Sequence, residues 1–216
     1  MGNTLRGQAD FGITPNSFQG GLDTSGSLHV EIINNTICNV PNHVATGECE
    51  ILGGGKVADA TDYTIVNNHV YETAARVLST MPQWILGNVA LNCTVRDFVF
   101  LGNVLDNTSL AISGIHNFAV TGNIFHFSTA SSNAGAIDIG QSGGPVVNNF
   151  TITGNAIEVD SGAAHPTIGI NFSAGVASPG SCTVANNTIT SNIATRNRVL
   201  WQTGSAGANE CSPETS

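Results

Sequence analysis

The feature that most constrains this chain is an asparagine that recurs six times in the same setting. The segments VEIINNTI, TIVNNHV, VFLGNVL, AVTGNIF, TITGNAI and TVANNTI each run an alternating apolar strand into a Gly-Asn or Asn-Asn pair and then resume it. The second member of the pair is Asn35, Asn68, Asn103, Asn123, Asn155 and Asn187, at intervals of 33, 35, 20, 32 and 32 residues. Such unequal intervals exclude a fixed-length repeat but suit a solenoid whose strands stay in register while its loops vary.

Alignment on that asparagine tests the repeat, because its columns must then separate into inside and outside. Five positions before it stand Val30, Tyr63, Phe98, Phe118, Phe150 and Cys182, and three before it Ile32, Ile65, Phe100, Val120, Ile152 and Val184. Two after it come Ile37, Val70, Leu105, Phe125, Ile157 and Ile189. Between the first two columns lies a mostly small or polar one, Glu31, Thr64, Val99, Ala119, Thr151 and Thr183. This period-two sorting is that of strands with one buried face.

A tight bend between two strands needs a residue tolerant of positive φ, and asparagine is the best candidate after glycine. The recurring asparagine is therefore expected at the bend. Stacked at about 4.8 Å per rung, such residues can also join amide to amide as a ladder. Tyr63, Phe98, Phe118 and Phe150 are expected to form an aromatic stack along the interior. A further strand is expected in CEIL (Cys49 to Leu52), LAIS (Leu110 to Ser113), AIDI (Ala136 to Ile139), TIGI (Thr167 to Ile170) and RVLW (Arg198 to Trp201), giving three short strands per coil.

On these motifs the chain resembles the pectate-lyase-like superfamily of right-handed parallel β-helices, the group found in polysaccharide lyases, pectinases and bacteriophage tailspikes. The resemblance covers roughly Ser27 to Thr203. It implies an all-β fold, a single-stranded right-handed parallel β-helix of about six coils. Residues 1–26 are expected to be an N-terminal cap or docking arm, 27–203 the β-helix and 204–216 a polar C-terminal tail. The superfamily hosts many unrelated activities, so function has to be read from particular side chains.

Charge narrows the partners. Charged residues are 10% of the 216, and one lysine, Lys56, and five arginines face fifteen carboxylates for a net charge of −9. With no basic stripe to neutralise phosphates, nucleic acid and anionic membranes are disfavoured. Met1 to Asp10 lacks the basic start and apolar run of a secretion signal, and no stretch approaches the roughly 20 apolar residues of a membrane span. The five cysteines, Cys38, Cys49, Cys93, Cys182 and Cys211, are odd in number and lack Cys-x-x-Cys spacing, so buried thiols are expected, with no metal and no cofactor. Gly53-Gly54-Gly55 and Gly143-Gly144-Pro145 read as turns, since neither precedes the Lys-Ser/Thr of a phosphate loop.

Enzymes of the resembled group place catalytic groups on the outer face of the sheet that AIDI and TIGI would enter. There Asp138 points outward between Ala111 and Gly169, an acid without the second carboxyl a glycosidase needs. Three after the asparagine, Tyr71, Asp106, His126 and Glu158 fall on consecutive rungs, and a histidine between two carboxylates can act as an acid. Were the chain an enzyme, Asp106, His126, Glu158 and Asp138 would be its catalytic candidates. His69, one position after its asparagine, has no partner in its own column, where the other coils carry Thr36, Val104, Ile124, Ala156 and Thr188.

The resemblance and the missing acid pair together imply a non-catalytic virion structural protein, a capsid decoration or a tail spike or fibre component. It is expected to be a homotrimer made in a host cytoplasm and joined to other virion proteins, with a cell-surface glycan as a further candidate ligand. The alternatives are a β-helical polysaccharide depolymerase or lyase, and a glycan- or surface-binding adhesin module.

Overall fold

The computed structural model describes residues 4–6, 28–38, 43–46, 50–52, 56–58, 60–71, 83–87, 95–128, 135–140, 147–160, 168–172, 182–191 and 199–203. Within them the chain is all-β, with three parallel sheets, one two-stranded antiparallel pair and no helix.

The first sheet holds, in spatial order, Leu28–Ile33, Ala60–Val66, Val95–Leu101, Ile115–Thr121, Asn148–Thr153 and Cys182–Ala185. The second holds Thr36–Cys38, His69–Tyr71, Val104–Asp106, Ile124–Phe127, Ala156–Val159 and Thr188–Ser191, extended at the first of these by Thr4–Arg6. The third holds His43–Thr46, Gln83–Gly87, Ser109–Ser113, Gly135–Ile139, Ile168–Phe172 and Val199–Thr203. From Leu28 onward the chain visits first, second and third sheet in turn, and each visit adds a strand beside the last. That layout is compatible with a β-helix-like fold.

The register follows the asparagine alignment. Val30, Tyr63, Phe98, Phe118, Phe150 and Cys182 are successive Cα partners across the first sheet. Tyr63, Phe98, Phe118 and Phe150 point into the core with Ile65, Phe100, Val120 and Ile152, each 4% exposed or less, and Cys182 packs against it partly buried. Tyr63 stacks on Phe98 with ring centres 4.4 Å apart, and Phe118 on Phe150 at 5.0 Å. Phe172 of the third sheet stacks in turn on Phe150 at 5.9 Å, so the aromatic column reaches across sheets.

The asparagines do different work from that expected of them at the bend. Positive φ falls on the preceding residue of each pair, Asn34, Asn67, Gly102, Gly122, Gly154 and Asn186. The second asparagine instead turns inward. In the middle rungs its amide is fully bonded. Asn123 Oδ1 accepts from the Asn103 backbone N–H at 2.8 Å and from Asn103 Nδ2 at 3.1 Å. Asn123 Nδ2 donates to the Phe100 carbonyl at 3.0 Å and to Asn155 Oδ1 at 2.9 Å. The same four bonds recur at Asn68, Asn103 and Asn155, so the amides run from Asn35 to Asn187 as one continuous ladder. A buried amide is tolerable only when its donors and acceptors are met, and here each rung meets those of the next.

Other expectations are corrected. Glu50–Leu52, within CEIL, pairs antiparallel with Lys56–Ala58, and His43–Thr46 takes its place in the third sheet. The polar-apolar alternation of His43–Thr46 and the glycine-bounded Gln83–Gly87 held the missing third-sheet strands. Asp138 is in register with Asn171, two residues past the expected Gly169, because the strand is Ile168–Phe172 with Ile170 and Phe172 facing in. Cys182 is disulfide-bonded and is no free thiol. Gly53 to Gly55, Gly143 to Pro145 and the tail 204–216 lie outside the described residues, as does all of 1–26 except Thr4–Arg6.

Candidate functional site

The polar column of the second sheet gathers the densest group of titratable side chains. Its strands are short and their side chains alternate in and out: Val104–Asp106 has only Leu105 buried, while Ile124–Phe127 buries Phe125 and Phe127. Asp106 and His126 therefore stand outward on adjacent rungs as Cα partners, with Tyr71 on one side and Glu158 on the other.

His126 lies between two carboxylates, but the second is Asp160 and not Glu158. His126 Nδ1 is 3.2 Å from Asp106 Oδ1, and Nε2 is 3.3 Å from Asp160 Oδ2. Glu158 shares the strand with Asp160's neighbours yet is exposed. Asp160 follows the end of that strand, where its backbone N–H donates to the Phe127 carbonyl at 2.8 Å. The expected pairing took the carboxylate from the aligned column, whereas Asp160, two residues beyond Glu158, supplies the partner.

His69 finds its partner outside its own column. Its Nε2 is 2.7 Å from Asp106 Oδ2, so Asp106 holds a histidine with each oxygen. The imidazole reaches diagonally across strands, which a column-by-column reading does not test. His69, Asp106, His126 and Asp160 thus form one chain of alternating imidazoles and carboxylates over four successive strands of the second sheet. Burial works against charge on His126, but hydrogen bonds to Asp106 and Asp160, reinforced by their negative charge, outweigh it and raise its pKa above the usual 6.5. Among the described residues no group of three or more His, Cys, Asp or Glu side chains is disposed to hold a metal ion.

Asp138 sits apart on the third sheet. Burial raises its pKa, opposed by hydrogen bonds from Asn171 Nδ2, at 2.9 Å, and from the Gly135 N–H. Gly135 is needed there: a Cβ on it would stand 2.7 Å from Asp138 Oδ1 and 2.9 Å from the Asn171 Cβ. Asp138 is therefore folded back onto its own strand. The structure does not join it to Asp106, His126 or Glu158.

A feature the sequence reading missed lies on the outer face of the first sheet. An open groove of about 400 Å³ is lined by Asp62, Asp97, Asn117 and Asn149, together with Val99, Ala119, Thr151 and Thr183. The four polar residues all have φ between 50° and 64°. They interrupt the register, which passes from Arg96↔His116 to Phe98↔Phe118 without Asp97 and Asn117. Asp97 is engaged by Arg96 at 3.0 Å and by the Asn117 amide. The signal was available: six positions before four of the ladder asparagines stands Asp or Asn, the residue types that best tolerate a left-handed backbone.

No family model matches the chain, and neither the curated proteins nor the solved structures contain a match to it.

Proposed function

We propose that this chain is a right-handed parallel β-helix of about six coils that serves as a non-catalytic structural component of a bacteriophage virion, a capsid decoration or a part of a tail spike or fibre. The right hand is the one that parallel crossover connections take almost without exception. The observation that carries the non-catalytic reading is the position of His126. Glycosidases keep two carboxyls about 5–9.5 Å apart with substrate or water between them. Here an imidazole fills the space between Asp106 and Asp160 and bonds to both. Asp138 and Asp97 are likewise engaged by their own neighbours. The polar side chains tie rung to rung, which suits a rod that must stay rigid.

The virion assignment rests on the resemblance of the repeat to tailspike β-helices, and a homotrimer follows as the symmetric assembly of such rods. A depolymerase or lyase is the second reading, favoured by His126, whose pKa is raised by its hydrogen bonds to Asp106 and Asp160 against the opposing effect of burial, the direction an acid catalyst needs. Two measurements on the purified chain separate them. Sedimentation velocity should show a trimer, and incubation with bacterial capsular polysaccharide should release no reducing ends above the buffer control. Sustained oligosaccharide release, abolished by His126→Gln, would establish the enzyme instead.

A further inference from the structure

Among the described residues the exposed large hydrophobic side chains are Ile33, Val99, Leu101 and Ile124, each 36–43% accessible. All four lie on the outer face of the first sheet or just across the bend that leads to the second. Ile33 and Leu101 flank Val66 as register partners in the outward column before that bend. Val99 stands two residues before Leu101 on the same face. Ile124 opens the second-sheet strand of the next coil, three residues after Thr121, the partner of Leu101. Leu101 leans over the bend of that coil, since a Cβ on Gly122 would stand 4.0 Å from its Cδ1. The side chains therefore form one apolar ridge along the corner between two sheets. It spans three strand steps, about 14 Å. Apolar side chains gathered in one exposed place mark a contact surface, whereas scattered ones need no cause.

Charge says what that surface meets. The column before the bend, Ile33, Val66, Leu101, Thr121, Thr153 and Ala185, holds no ionisable group. The column after it, from Thr36 to Thr188, holds only His69, whose ring is bonded to Asp106. The carboxylates stand back on both flanks, Asp62 and Asp97 on the first sheet and Asp106, Glu158 and Asp160 on the side of the second. Between those flanks Glu31, on the first strand, is the one described carboxylate. An apolar centre with charge at its margin is the anatomy of a protein interface.

The chain as a whole carries −9. A cationic partner would be drawn to the flanks and not to the ridge. A second copy of this chain has the opposite preference, because contact through either flank sets carboxylate against carboxylate, while contact along the ridge keeps them apart. The ridge is also a convex corner. Three parallel rods can bring three such corners to a common axis, each touching the other two, which closes the ring.

We infer that the ridge around Leu101 and Ile124 is the surface through which this chain associates with its own copies, set at the threefold axis, a placement that rests on the homotrimer proposed above. Val99, Leu101 and Ile124 lose their remaining water contact there, and the carboxylates stay at the solvated rim. Farther along the same column the small side chains of Thr121, Thr153 and Ala185 let the backbones approach closely.

The test uses the full chain and three lysine substitutions. Leu101→Lys and Ile124→Lys put a charge on the ridge, and Ala111→Lys puts the same charge on the outer face of the third sheet, which does not border it. Circular dichroism and a urea titration show that each variant is folded, and sedimentation velocity over a dilution series measures association. The parent and Ala111→Lys should sediment as trimers of equal affinity. Each ridge variant should associate at least about tenfold more weakly, since lysines at the axis would be buried unpaired in three copies. Leu101→Ala and Ile124→Ala, which add no charge and test the apolar contact alone, should weaken the trimer in the same direction. Ridge variants that trimerise as tightly as the parent, or an Ala111→Lys that dissociates alongside them, overturn the ridge and leave the trimer standing. A parent that stays monomeric or dimeric refutes the trimer itself and assigns the ridge to a different partner.

Discussion

Replacing Asn123 by alanine should be among the most damaging single substitutions on this chain, although it removes no apolar contact. Asn123 is 0% exposed and holds four side-chain hydrogen bonds. Alanine strands the Asn103 backbone N–H and one Asn103 amide proton, frees the Phe100 carbonyl, and leaves Asn155 Oδ1 with one donor of two. Each net hydrogen bond is worth about 1 kcal/mol, and each buried group left unpaired costs about 1–3 kcal/mol. A loss of about 3–5 kcal/mol follows, a large share of the roughly 5–15 kcal/mol that stabilises an ordinary domain. Asn187 is the internal control. It ends the ladder partly exposed, where water can replace its Oδ1 as acceptor for the Asn155 donors, so Asn187→Ala should lose only about 1–2 kcal/mol. Urea titrations followed by circular dichroism, analysed at a common slope, measure both. Equal losses at the two positions, or a loss below about 1 kcal/mol at Asn123, would refute the claim that the amides hold the rungs together.

Three further substitutions probe the charged groups and the bends. Because His126 titrates above 6.5 in the folded chain, its contribution is fully present below that value and disappears as pH rises through the raised one. The stability difference between parent and His126→Gln should therefore be greatest in mild acid and shrink toward alkaline pH, and a pH-independent difference would exclude the Asp106–His126–Asp160 linkage. The pKa of Asp138 is also raised, from 3.8, so its ionisation weakens the fold progressively as pH rises above 3.8 and fully above the raised value. Asp138→Asn should leave stability at neutral pH unchanged or higher, and a marked loss there would show that the ionised form is needed. At the bends, Gly122→Asn should be milder than Gly122→Ala, since asparagine already serves at Asn34, Asn67 and Asn186, whereas alanine in the left-handed region costs about 1–2 kcal/mol. Gly102→Ala should be worse than Gly122→Ala on thermal melts, because its Cβ would meet Asn67 Oδ1 at 2.7 Å.

Much of the sheet order was legible because one residue type does one job in each coil. A buried asparagine can be exchanged for nothing of the same shape with two donors and two acceptors, so it marks its position even where loops change length. The inward columns were legible for a related reason, since burial admits only apolar side chains at Ile65, Phe100, Val120 and Ile152. The third sheet was harder to read. It has no marker residue, so AIDI and TIGI were aligned by appearance, two residues out of register with the pairing of Asp138 and Asn171. The polar cluster was half legible. Asp106 and His126 share a column, but His69 reaches Asp106 across a diagonal and Asp160 approaches from beyond its strand, and neither relation has a fixed sequence interval. The disulfide at Cys182 was not legible, because five widely spaced cysteines without a Cys-x-x-Cys pair do not signal which of them is bonded.

The central claim is that the six asparagine segments stack in parallel, one rung apart and in a single register. Spin labels on the outward column measure this directly, using pairs from Thr64 to Ala119, to Thr151 and to Thr183, which are two, three and four strand steps apart. Pulsed electron resonance should give distances that lengthen in that order by about 4.8 Å per step. Distances out of that order, or no steady increment between them, would contradict the account.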